Sequence, residues 1–137
     1  MKVIFLMMIG MSLLQADFIK EGDTVKDTQS NLEWQDNEVG SGTTWENAIE
    51  KCENLELAGH NDWRLPNINE LKSIADISKY NPAIVKVFKN TISFYYWSST
   101  TYEGHKNDAW FIYFSDSHTY KNSKEHSYYV KCVRDGE

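Results

Sequence analysis

The run HNDWRLPNINEL, from His60 to Leu71, gathers a histidine, an aspartate, an arginine, asparagines and a glutamate around one tryptophan and one proline. Such a set could hold a ligand or move a proton. Other groups invite the same question. The histidines, His60, His105, His118 and His126, fall in polar, turn-like stretches, and none has a partner at the spacing of a zinc helix. Ser98, Ser99, Thr100 and Thr101 form a hydroxyl run without the glycines of a nucleophile elbow. They read as local hydrogen-bonding groups near a strand end. Among 20 acidic residues no pair stands out for paired-carboxylate chemistry. Asp76, Asp108 and Asp116 could serve calcium, which takes six to eight oxygens, only if the fold gathers them. No catalytic residue, cofactor or metal is read from the chain.

The aromatic residues say more. Tyr95, Tyr96, Trp97, Tyr102, Trp110, Tyr113 and Tyr120 crowd one half of the sequence. Most suit the core of an antiparallel sheet. Tyr95, Tyr102 and Tyr120 lie beside turns, where exposed rings suit contact with a protein or a carbohydrate. With Asp108 they are the expected ligand-binding residues.

Elements must position these groups. Val25, then Leu32 and Trp34, flank KDTQSN, whose Thr28, Ser30 and Asn31 form turns, so a hairpin is expected. Trp45, Ala48, Ile49, Cys52 and Leu55 recur at helical spacing, with Thr43 and Glu46 as a capping box and Gly59 as the stop. In a second helix Asn67 caps, Glu70 reaches back, and Ile68, Leu71, Ile74 and Ala75 face inward. Pro82 is expected to start a short helical turn over Ala83 to Phe88. FYYWSSTT and DAWFIYFSD read as strands, the latter apolar on both faces and so central. YYVKCVR closes the chain with Tyr128, Val130 and Cys132 on one face of a last strand. Hairpin, two helices and an antiparallel sheet make an α+β domain. On this frame the opening run becomes structural. Trp63 and Leu65 enter the core, Pro66 and Asn67 set the second helix, and Arg64 finds a buried ion pair or, failing that, a ligand.

Residues 1–16 read as a signal peptide: Lys2, an uncharged apolar run from Val3 to Leu14, and a cut after Ala16. A retained anchor is the alternative. Residues 17–137 then form one domain, able to bury about two thirds of its surface. Losing Lys2 moves the net charge from -6 to -7. An acidic chain without a basic run argues against nucleic acid, anionic lipid and sulfated polysaccharide, and nothing after the signal is apolar enough to span a membrane. Cys52 and Cys132 are the two cysteines, and pairing is the natural hypothesis in an oxidising compartment. Such a bridge would remove about 4 to 5 kcal/mol of unfolded-state freedom in the chain-entropy model.

The blocks TWENAIEKCENLELAGHNDWRLPNINEL, YWSSTT, AWFIYFSD and YYVKCVR, in this order, resemble the Lcl carboxy-terminal domain family. That family is a bacterial domain of unknown function named for the end of a collagen-like adhesin. The second half of the first block and the chain's ending are also similar to elements of the formylglycine-generating-enzyme group. The resemblance implies a C-type-lectin-like fold, with two helices on a twisted antiparallel sheet and a bridge from the first helix to the last strand. It implies a structural place for Trp63, Arg64, Pro66, Asn67, Glu70 and Trp97. Sulfated glycosaminoglycan, the ligand ascribed to the adhesin's domain, does not suit an acidic chain. The enzymes' extra redox cysteines are missing. The lectins' calcium-binding words are only echoed in Pro66-Asn67 and Trp97-Ser98-Ser99, without their acidic members. The expected function is a non-enzymatic recognition or adhesion domain in the periplasm, at the cell surface or secreted, binding a protein or glycan. A structural or assembly component of the envelope is the alternative, and a hydrolase the third reading. The oligomeric state is left open.

Overall fold

Asp27 closes the hairpin expected around KDTQSN. In the computed structural model, which describes residues 17–136, its carboxylate accepts the Gln29 and Ser30 amides and the Ser30 hydroxyl. This joins β2 (Thr24–Asp27) to β3 (Leu32–Gln35). An unanticipated strand, β1 (Phe18–Glu21), precedes them, and β7 (Val133–Asp135) returns to pair with β3 at Trp34 opposite Val133. The order β1-β2-β3-β7 is one antiparallel sheet. A second antiparallel sheet holds β4 (Tyr95–Thr101), β5 (Asp108–Tyr113) and β6 (His118–Ser123), with β5 in the middle. The strands thus divide between two sheets rather than forming one. The expected segment 1–16 lies outside the described residues.

The second sheet separates two cores, because successive strand residues face opposite ways. Tyr96 and Ile112 join Val25, Trp34, Leu71, Ile74, Phe88 and Val133 on one side. Trp97 and Phe111 join Ala48, Cys52, Trp63, Leu65, Tyr128 and Val130 on the other. That is why the β5 sequence is apolar at consecutive positions. Helix α1 (Trp45–Glu53) buries Ala48 and Cys52, and Cys52 bonds to Cys132 with Cα atoms 5.5 Å apart. The bridge ties α1 to the segment entering β7.

Helix α2 (Ile68–Ser73) starts on a complete capping box: the Glu70 amide donates to Asn67 Oδ1 at 2.8 Å, and the Asn67 amide donates to Glu70 Oε1 at 2.9 Å. Helix α1 departs from expectation. Its cap is Thr44, without a side-chain bond, and it ends at Asn54. Thr43 is occupied elsewhere, exchanging amide bonds with Tyr128 of 2.8 and 3.0 Å. Gly59, at φ 78°, shapes the following turn, where Leu57 and His60 pair. Residues 83–88 form no helix. The Ala83 amide donates to Phe114 O (2.6 Å) and the Val85 amide to Ile74 O (3.0 Å), so their backbone serves distant chain. Of YYVKCVR only Val133 and Arg134 enter a strand, although Tyr128, Val130 and Cys132 do share one core.

Candidate functional site

The opening run is spread across the scaffold. Trp63 and Leu65 are buried, and the Trp63 indole donates to Leu57 O and His60 O at 3.3 and 3.2 Å. Arg64 grips Glu70 with two bonds of 2.7 and 2.8 Å and reaches Asp135 at 3.0 Å. Its ion pair is half-exposed rather than buried. Pro66 is buried, and its carbonyl accepts the Ser99 amide at 2.8 Å. Trp97 is buried and donates to Thr43 O at 2.9 Å. Ser98 bonds across the sheet, to Trp110 O at 2.6 Å.

Two buried charge networks were not anticipated. Arg134 donates to Glu33 at 2.6 Å and to Asp62 at 2.7 Å, while Thr24 covers the other Glu33 oxygen at 2.7 Å. Asp36 accepts Lys20 and the amides of Lys89 and Asn90, each amide at 2.9 Å, with Lys131 at 3.7 Å. Burial pushes Asp36 upward, but these donors and the Lys131 charge outweigh it and hold the carboxyl below its ordinary value. Burial lowers Lys131 to about 8 against the opposing pull of Asp36. Each network is paired within itself, so it fastens the fold. Distant partners leave no local sequence signal for them.

The sequence-predicted ligand residues separate. Tyr95 and Tyr120 meet in an aromatic groove of ≈ 450 Å³, lined also by Phe111, Tyr113, Asp116, Asn122 and Tyr128. Tyr95 sits edge-on to Tyr113, Phe111 and Tyr128 at 4.6 to 5.1 Å, so these rings fix one another. Tyr120 stacks on Phe111 at 5.8 Å, and its hydroxyl donates to Asp116 at 3.2 Å. Partial burial first, then the Asp116 carboxylate, push the Tyr120 phenol above its ordinary value. Burial also raises Tyr128, although the Asn122 amide bonded to it at 3.0 Å opposes this. Both phenols therefore stay protonated at neutral pH. A second hollow of ≈ 340 Å³ continues the groove past Tyr95 and Tyr128 to Phe94, Tyr129 and Ser127. Phe94 and Tyr120 are the most open of these rings, 54% and 43% exposed.

Tyr102 lies elsewhere. It stands edge-on to Trp110 at 5.7 Å, with the Lys121 ammonium 4.0 Å above its ring. Trp110 alternates with Ala109 and Phe111, so this cluster occupies the opposite face. Asp108 lines an open polar hollow of ≈ 790 Å³ with Glu46, Asn107, Lys124 and Glu125, paired to His105 Nδ1 at 3.2 Å. Lys124 there is committed to Thr101 (2.9 Å) and the Trp45 ring (4.0 Å). Asp76 and Asp116 belong to separate local turns, bonding Ser78 and His118. Among the described residues, no three His, Cys, Asp or Glu side chains converge on a metal-sized site. Phe94, Phe111, Tyr113, Asn122 and Tyr128 were missed as groove residues. The shared phase of Tyr95 with Phe111 and Tyr113 in a β4–β5 hairpin was the signal for two of these rings.

Among the described residues no helix is long and apolar enough to cross a membrane. The family model described as the Lcl C-terminal domain matches residues 23–134. No curated protein matches the chain.

Proposed function

The chain belongs to the Lcl C-terminal domain family, and from that premise we propose that it is an exported, non-enzymatic recognition domain holding a protein or glycan in the groove between Phe94 and Tyr120. The observation that carries this reading is the groove itself. Its floor rings are locked by mutual contacts, while Phe94 and Tyr120 keep about half their surface in water. A preformed aromatic surface with amide, carboxylate and phenol groups at its rim suits ligand capture at low ordering cost. Export to the periplasm, cell surface or medium is supported by the Cys52–Cys132 bridge, a bond that oxidising compartments sustain. A C-type-lectin-like architecture is supported by two helices, antiparallel sheets and a bridge from α1 to the last strand.

The test is binding of the purified chain to a glycan array and to envelope proteins. Phe94→Ala with Tyr120→Ala should weaken retained binding by about tenfold or more, as removal of interface aromatics does. Tyr102→Ala, on the opposite face, should leave it intact. Unchanged binding by the double variant would remove the groove as the site.

A further inference from the structure

Among the described residues the two sheets end on four outer strands, and these differ in how they are closed. Arg64 pairs along β7 with amide bonds of 2.8 and 2.9 Å to Val133. Strand β4 is bulged between Trp97 and Thr101, and Tyr129 exchanges bonds with it at Tyr95 and Trp97. Strand β1 offers four residues and sends Lys20 across to Asp36. Strand β6 is different. Its six residues pair with β5 in unbroken register, from Asp108 opposite Ser123 to Tyr113 opposite His118.

The phase of that ladder is set by the Lys124 amide, which donates to Asn107 O at 2.8 Å, one step beyond the last pair. Hydrogen-bonded and wide pairs alternate in an antiparallel ladder. Asn122, Tyr120 and His118 therefore address β5, and Thr119 and Lys121 turn their N–H and C=O groups outward. The edge is also delimited at one end, where Asn122 Oδ1 accepts the Ser123 amide at 2.8 Å. Before that cap, none of the described residues offers Thr119 or Lys121 an outward backbone partner.

An exposed lysine on an edge strand normally discourages pairing. Here the Lys121 ammonium is drawn back over Tyr102 (4.0 Å) and Trp110 (5.5 Å), on the face away from the groove. The open edge and the aromatic groove share Tyr120, Lys121 and Asn122. Building on the recognition reading above, we propose that β6 takes one extended segment of a partner protein, added as a further strand. The outward donors and acceptors of Thr119 and Lys121 recur about 7 Å apart, the repeat of an extended peptide backbone. Alternate side chains of that segment fall beside Tyr120 and Asn122, where an aromatic or β-branched residue fits. The chain's net charge of -6 opposes a second copy and favours a neutral or basic segment.

The experiment selects heptapeptides from a random display library against the full chain, then titrates the best one by NMR. Binding should shift Thr119 and Lys121 amides and slow their exchange. Methylation of alternate peptide amides should weaken binding at least about tenfold, and so should Lys121→Pro, which removes an outward N–H while sparing the ladder. Failure to enrich any peptide, or indifference to N-methylation, overturns the inference. Glycan binding lost in the Phe94/Tyr120 double variant, without peptide binding, overturns it while leaving the groove as the site. Concentration-dependent dimerisation abolished by Lys121→Pro would assign the edge to a second copy and overturn the partner segment. Should no peptide enrich and no glycan respond to the groove variants, both readings fall.

Discussion

Along the four-stranded sheet and the segment that enters it, Glu33, Asp36, Lys131 and Arg134 are each at most 5% exposed, whereas on the three-stranded sheet Tyr120 keeps 43% of its surface in water. In a low-dielectric interior an unpaired charge is costly, so each buried ion must be matched, and here each is. Half-exposed aromatics face no such demand. They are left open at a cost in unburied apolar surface, and an open apolar patch rimmed by polar groups marks a place of contact. Residues chosen for their chemical reactivity would have pointed to the first region. Satisfaction of their bonds assigns them to the fold, and incomplete burial assigns contact to the second.

The sharpest way to break this comparison is Asp36→Ala. It leaves the Lys131 ammonium buried, and the Lys89 and Asn90 amides lose their acceptor. A cost of about 3–5 kcal/mol is expected from removing one partner of a buried pair, read from urea midpoints. A cost below about 1 kcal/mol, the size of one ordinary hydrogen bond, would mean that water reaches the site and that the contrast in burial is not one of energy. Next in size is the bridge joining the halves. Cys52→Ala with Cys132→Ala should cost about 2–4 kcal/mol, seen in the same titration, with binding retained at temperatures where the chain stays folded.

Legibility in the sequence followed the same division. Helix α2 was readable because its cap is local, Asn67 to Glu70, three positions apart. The hairpin of β2 and β3 was readable for the same reason. Helix α1 was set one residue early, since Thr43 and Thr44 are equally plausible caps until Tyr128 claims Thr43. The charge networks were invisible because their partners lie 101 positions apart for Arg134 and Glu33, and 53 for Lys89 and Asp36. A strand that pairs across the whole chain, β7 on β3, hid the second sheet in the same way. Tyr95 and Tyr120 were correctly placed near one another by neither spacing nor composition. The β4 bulge between Trp97 and Thr101 breaks the alternation, so sequence phase could not say that Tyr102 would leave the groove face.

Titration offers a smaller and more selective test. The Asp36 carboxyl lies below its ordinary value in the fold, so its contribution is present above that value and is lost as pH falls through the folded one. Lys131 behaves oppositely. Its folded value is lowered from 10.5 to about 8, so between these values the unfolded chain holds a proton that the folded chain has released. Stability from this group therefore rises with pH across that window and is flat below it. From neutral pH upward, urea midpoints of the wild type and Lys131→Met should keep a constant offset until about pH 8 and change it above. A parallel pair of curves would show that Lys131 is hydrated. Ligand binding through the groove should not follow this window, because Tyr120 and Tyr128, with their phenols raised, stay protonated through most of it.

The smallest expected change in stability is at Tyr120. Its ring rests on Phe111 on one side and is open on the other, and its hydroxyl is tied only to Asp116 at 3.2 Å. Tyr120→Phe keeps the stack and removes the tether, while Tyr120→Ala removes both. If the ring belongs to a contact surface, both variants should melt within a few degrees of the wild type. Binding should then fall modestly in the first and by about tenfold in the second. If it belongs to the core, Tyr120→Ala should unfold the chain much earlier, and the binding loss should vanish once compared at equal folded fraction. Thermal melts beside binding isotherms separate these cases. The phenylalanine variant matters most, because it asks whether Asp116 merely holds the ring or whether the hydroxyl itself reaches the ligand.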